Sequence, residues 1–281
     1  MAAMSKIAVV TGASQGLGFA LVEGLAQRLD PSDVVYLTGR DVVRVQAAAT
    51  RLASPRADVR AEVVDVCDGP AVDAFANELR ARHGHVDIVF SNAAARLTRE
   101  TPWAELVHPF VETNNIGTTR LLRALSPVLR PGGRLLVVAS SLGSLRQLPP
   151  HLHGHFETDV MTLDGVDVTM LAWRDAVRTG RAAQLGWPDW INIPSKVGQV
   201  AAVRVLARDR RASDSMHGTL VAAVCPGLID TAASRPWFED MSAAQTPEDA
   251  AVALLRLALD PVVDPRFYGE LIQLGRIVPW R

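Results

Sequence analysis

The chain has 281 residues, with 29 basic against 30 acidic side chains and a net charge of −1, so it lacks the basic surplus that would hold nucleic acid or an anionic membrane. A 48% hydrophobic composition suffices for a sizeable core, read as one domain over 1–281, and no apolar run approaches the roughly 18–20 residues needed to span a bilayer. The first residues lead into a strand without a signal-like core, and the two cysteines, Cys67 and Cys225, lie in apolar contexts that suit buried thiols, so a cytoplasmic setting and small-molecule partners are expected.

The first predicted element is a strand over 6–11, whose run Ile7-Ala8-Val9-Val10 suits a parallel strand covered on both faces. Helical spacing follows from Phe19 to Leu25. Between them Gly12, Gly16 and Gly18 permit a tight turn and let backbone N–H groups approach a pyrophosphate at a helix N-terminus, as a dinucleotide seat requires. The second strand, 33–38, ends in Thr38-Gly39-Arg40. An acid at that place would favour a ribose hydroxyl, whereas the planar guanidinium of Arg40 suits a 2′-phosphate, so NADP is expected over NAD.

Further strands are predicted over 61–66, 86–91, 133–139, 218–224 and 270–274, giving seven in all. Helical patterns or loops separate them, the order of a doubly wound, mostly parallel Rossmann-type sheet with helices on both faces and a ligand crevice at the carboxyl ends of its strands. The segment 144–190 breaks that rhythm with Pro149-Pro150, the alternating His151, His153 and His155, and Trp187 and Trp190, and reads as an insertion over the crevice. The histidines and Asp189 are either solvated or an alternative proton source; without a nearby cysteine or fixed scaffold they predict no metal site.

Taken together, Thr11-Gly12…Gly16…Gly18, Asp65, Ser91-Asn92-Ala93-Ala94, Thr113-Asn114-Asn115-Ile116-Gly117-Thr118, Ser140-Ser141, Ser195-Lys196 and Pro226-Gly227 resemble the short-chain dehydrogenase/reductase superfamily over nearly the full length. Gly186-Trp187-Pro188-Asp189 and Ile277-Val278-Pro279-Trp280 resemble its carbonyl-reductase-like branch, which is typically NADPH-dependent and monomeric. The resemblance implies that Gly12, Gly16 and Gly18 form the pyrophosphate turn with Ser14, Gln15 and Leu17. It places Asp65 and Val66 at adenine, Asn92 on the adenosine side, Lys196 at the nicotinamide ribose, and Pro226, Gly227, Ile229 and Thr231 around the nicotinamide. Asn114, in a kinked helix, would hold a water beside Lys196, and Ser141 would contact substrate.

One position departs from the family. The tyrosine expected four residues before the lysine is Asn192, and the only tyrosines, Tyr36 and Tyr268, lie elsewhere in the chain. Asparagine donates a hydrogen bond but gives up no proton at neutral pH. Two roles are open for Asn192: a direct substrate contact, or a helix cap accepting the Ser195 amide hydrogen with Pro194 in the first turn. Trp187, Trp190, Trp237 and Phe238 read as an apolar substrate wall or as loop anchors. The implied activity is NADPH-dependent reduction of a carbonyl, or of an iminium that already carries its proton. The alternatives are an NADP-binding protein without redox activity and a non-redox catalyst such as a cyclase.

Overall fold

The computed structural model describes residues 5–281. Its strands are β1 (Ile7–Val10), β2 (Val34–Gly39), β3 (Asp58–Val63), β4 (Val86–Ser91), β5 (Leu129–Val138), β6 (Leu220–Cys225), β7 (Leu271–Gln273) and β8 (Arg276–Val278). The α-helices are α1 (Gly16–Arg28), α2 (Val42–Thr50), α3 (Gly69–His83), α4 (Trp103–Val111), α5 (Gly117–Leu125), α6 (Leu163–Arg178), α7 (Asn192–Asp214) and α8 (Pro247–Leu259). The strands form one sheet in the order β3-β2-β1-β4-β5-β6-β7-β8, parallel up to β7.

Strand periodicity divides the core between the two faces of the sheet. Ile7 and Val9 join Tyr36, Leu122, Trp173 and Val203 on one side, while Ala8 and Val10 join Leu21, Leu25, Phe90 and Leu254 on the other. After β1 the chain winds outward through β2 and β3 and then returns to β4 on the opposite side of β1, so the topological switch opens a crevice at the carboxyl ends of β1 and β4.

The sheet differs from expectation at both edges. It has eight strands rather than seven, because Leu274 and Gly275 both take positive φ (48° and 71°) and make a two-residue turn that folds β8 antiparallel onto β7. β8 escapes sequence reading because it is short and half-solvated. β3 begins three residues earlier than predicted. It is the outermost strand and largely open to solvent, so the apolar pair Val63-Val64 marks its end, where the chain turns back into the core, and not its centre.

The insertion folds as a 3₁₀ segment, Pro150–Phe156, followed by α6. Val166, Met170, Trp173 and Ala176 form the buried stripe of α6, which packs against α4 and α7 and so flanks the helices instead of capping the crevice. The histidines staple this region. His151 and His153 place their Nε2 atoms 3.1 and 2.9 Å from the carbonyls of Leu185 and Leu148, and His155 stacks on Trp187 at 5.8 Å. No cluster of metal-binding side chains occurs among the described residues. Trp173, 1% exposed, carries much of this packing: Trp173→Ala is expected to cost about 3–5 kcal/mol, measured by denaturant unfolding.

The carboxyl end is tied to the turn that follows β5. Ser144 Oγ donates to the Pro279 carbonyl at 2.6 Å, the Leu145 amide donates to the Trp280 carbonyl at 2.9 Å, and the buried Trp280 ring lies under the Arg204 guanidinium.

Candidate active site

The β1–α1 turn is built to approach a ligand closely. Gly12 has φ +62°, and a Cβ there would lie 2.7 Å from the Ala93 Cα. At Gly18 a Cβ would meet the Asn92 amide nitrogen and the Gly12 carbonyl oxygen, each at 2.5 Å. Asn92 braces the turn from behind: its Nδ2 donates to the Thr11 carbonyl at 2.9 Å, so the predicted adenosine-side residue is engaged with the glycine turn itself. Gln15 leads into α1 without capping it, and α1 has no acid in its first turn, so amide hydrogens at its start are free to meet an anion. Thr231, in the loop after β6, faces Gly16 across the crevice, its Cγ2 3.8 Å from where a Cβ would stand.

At the rim of β2, Arg40 is exposed and makes no hydrogen bond among the described residues. Four residues later Arg44, in the first turn of α2, which sequence reading did not single out, donates through Nη2 to Gln15 Oε1 at 2.6 Å. Its spacing from Arg40 was the available signal. The donors of this rim and turn fit a phosphorylated dinucleotide: free backbone amides for the diphosphate and paired guanidinium groups for a further phosphate. Asp65 Oδ1 accepts from the Cys67 amide at 2.9 Å, while Val66 is buried against Gly117 in the core, which removes its side chain from the predicted adenine contact. Pro226, Gly227 and Ile229 are partly exposed beyond β6, where Gly227 takes φ +85° and Gln245 Nε2 donates to the Pro226 carbonyl at 3.3 Å.

The predicted catalytic residues come from three elements. Ser141 follows β5; its amide donates to Cys225 Sγ at 3.1 Å, and its hydroxyl has no partner among the described residues. Asn192 and Lys196 stand four apart on α7 and share a face. Asn192 does not cap the helix. Ile191 before it already has helical backbone (φ −61°, ψ −16°), whereas a capping residue takes extended backbone, and the Asn192 side chain makes no hydrogen bond among the described residues.

The axial position of α7 is set by Asn115 and Ser195, which exchange two hydrogen bonds: Asn115 Nδ2 to the Ser195 carbonyl at 2.8 Å and Ser195 Oγ to Asn115 Oδ1 at 3.0 Å. Asn115 and Asn114 belong to a π-helical turn, Glu112–Ile116, which interrupts the helix between α4 and α5. That is the predicted kink. The Asn114 side chain, however, accepts from the Ala95 amide at 2.9 Å, and its carbonyl accepts from Thr118 Oγ1 at 2.7 Å. Lys196 Nζ donates to Gln199 Oε1 at 2.8 Å and to the Val138 carbonyl at 3.3 Å. Lys196 therefore faces Gln199 and the end of β5. Burial disfavours the charged ammonium and pulls its pKa down to about 8, so it is protonated at neutral pH but close to releasing a proton.

The aromatic residues divide. Trp187 is buried against Phe156 and Trp173, so it anchors the insertion and forms no part of a pocket wall. Trp237 stacks on Trp103 at 5.7 Å and lies beneath Arg99, which joins the loops that follow β4 and β6. Phe238 beside it is 40% exposed, and Trp190 is half-buried just before α7. Trp103 and Arg99 are additions that only the contact with Trp237 makes visible.

A family model described as short chain dehydrogenase matches residues 6–149. Carbonyl reductase [NADPH] 1 of Sus scrofa is 30% identical over 284 residues, covering 100% of this chain and 96% of that protein. Among solved structures, salutaridine reductase from Papaver somniferum superposes with a TM-score of 0.76 at 23% identity, covering 95% of this chain and 99% of that one. Menthone neomenthol reductase from Mentha piperita gives the same TM-score and identity, covering 98% and 100%.

Proposed function

The chain belongs to the short-chain dehydrogenase family of oxidoreductases, and from that premise we propose that it is an NADPH-dependent reductase of a bulky, apolar carbonyl or imine compound, acting as a monomer of one domain. The observation that supports this reading is that the glycine turn after β1, Ser141 after β5 and the Lys196 ammonium, which reaches the Val138 carbonyl of β5, all stand at the carboxyl ends of the strands. The carbonyl reductase relatives and the two rim arginines support NADPH as its coenzyme.

Gly12, Ser14, Gly16 and the α1 N-terminus would hold the diphosphate, Arg40 and Arg44 the 2′-phosphate, and Lys196 the nicotinamide ribose. Bound there, NADPH supplies a hydride. Toward a ketone, the Ser141 hydroxyl and the Asn192 amide donate to the substrate oxygen, orient it and stabilise the charge gathering on it; toward an iminium, whose nitrogen has no lone pair, Ser141 Oγ and Asn192 Oδ1 accept from its N–H. Neither completes protonation of an alkoxide. An iminium brings its own proton and leaves as a neutral amine, so this constellation suits imines better than ketones. Trp103, Trp237 and Phe238 supply an apolar wall for the rest of the molecule. α6 lies along α4 and α7, faces that many relatives use to assemble tetramers, which supports the monomer.

The test is NADPH oxidation against panels of bulky ketones and cyclic imines, with the wild type and Asn192→Ala. Consumption of NADPH with an imine supports the reading. NADPH that binds but is consumed with neither panel overturns it in favour of a protein without redox activity. For the coenzyme, Arg40→Ala and Arg44→Ala are each expected to weaken NADPH binding roughly 10- to 100-fold, the loss of one charge-assisted phosphate contact, with NADH affinity little changed in calorimetry.

A further inference from the structure

Gln199 is 2% exposed and sits one helical turn beyond Lys196 on α7. A buried primary amide is costly unless its polar atoms are paired, and both ends of this one are used. Its Oε1 accepts from Lys196 Nζ at 2.8 Å, and its Nε2 donates to Thr118 Oγ1 at 3.1 Å. Thr118, also 2% exposed, passes its own hydroxyl hydrogen to the Asn114 carbonyl at 2.7 Å. An unbroken line of side chains thus runs from the ammonium to the π-helical turn.

We propose that Gln199 is a positioning residue for Lys196: its side chain ties the ammonium to Thr118 and so to the π-helical turn. The consequence for turnover rests on the reductase reading, although the arrangement is present without coenzyme. An ammonium has three N–H donors; Gln199 and the Val138 carbonyl take two, and one is left for the crevice. An amide neither gains nor loses a proton near neutral pH, so Gln199 holds Lys196 without titrating itself.

The groups around the amine are few. Cys225 on β6 is the titratable one, β5 presents the Val138 carbonyl, and Thr118, Asn114 and Ser141 are neutral. Gln199 therefore sets how readily the ammonium persists: its oxygen favours the charged form, against the burial that disfavours it.

Lys6 and Lys196 are the only lysines in the chain, so protein labelled with carbon-13 at lysine Cε gives two signals, with Lys6 as an internal control. In the coenzyme-free wild type, the Lys196 signal is expected to titrate with a midpoint of about 8. Gln199→Leu should move that midpoint at least about one pH unit down, Gln199→Glu at least about one up, and Thr118→Val, which frees the amide, a smaller step down, with Lys6 unmoved. A spacer role predicts no movement. A folded Gln199→Leu protein that keeps the wild-type midpoint overturns the proposal. If that variant does not fold, unmoved midpoints in both Gln199→Glu and Thr118→Val do the same. NADPH consumption is read in a separate assay, so an inactive wild type with shifted midpoints would sink the reductase reading and leave this one standing.

Discussion

Asn192→Tyr is expected to raise ketone turnover by about 10²–10⁴-fold at neutral pH, the range a positioned general acid contributes, while reduction of a preformed iminium changes far less. Asn192 lies on the face of α7 that carries Lys196, one turn before it, and its side chain is not engaged in capping. A phenol at that place would stand near a buried ammonium, and a neighbouring positive charge lowers the pKa of a phenol toward the working range. It would give the alkoxide the proton that an asparagine amide withholds. The comparison is made by kcat for one ketone and one cyclic imine in the two proteins, with NADPH affinity as control. If the tyrosine variant binds NADPH normally and ketone turnover stays flat, the missing acid is not what limits this site, and the roles given to Ser141 and Asn192 fall.

Gly18→Ala is expected to weaken NADPH binding roughly 5- to 150-fold. The added methyl carbon would lie 2.5 Å from both the Gly12 carbonyl oxygen and the Asn92 amide nitrogen, and 2.9 Å from the Ala13 Cα. Two of these three neighbours are backbone of the turn itself, so relief requires moving the amides that would grip the diphosphate. Overpacking of this kind costs about 1–3 kcal/mol in stability, and the same energy taken from the binding geometry weakens affinity roughly 5- to 150-fold. Thermal unfolding and calorimetry separate the two effects. A variant that binds NADPH as tightly as the wild type would mean that the coenzyme does not sit on this turn.

What the sequence made legible follows from how local each signal is. The glycine turn and the parallel sheet are written in local runs of residues, and the kink that the family resemblance implied for the helix around Asn114 occurs as the π-helical turn Glu112–Ile116. β3 slipped because an edge strand with no buried residue carries no apolar run to mark it. Trp187 was open to two readings, since a tryptophan beside an insertion serves equally as wall or anchor; its contacts with Trp173 and Phe156 make it an anchor. Arg44 and Gln199 were missed for a common reason. Each is an ordinary helical residue whose meaning comes from a partner far off in the chain, Gln15 for one and Thr118 for the other. Asn114 was found, but its contacts with Ala95 and Thr118 were not, since both come from the fold.

The fastening of Pro279 and Trp280 to Ser144 and Leu145 gives the last residues a reach that their position conceals. They hold the turn that follows Ser141, so substitutions at Pro279 or Trp280 are expected to shift the Ser141 loop along with the residues they change.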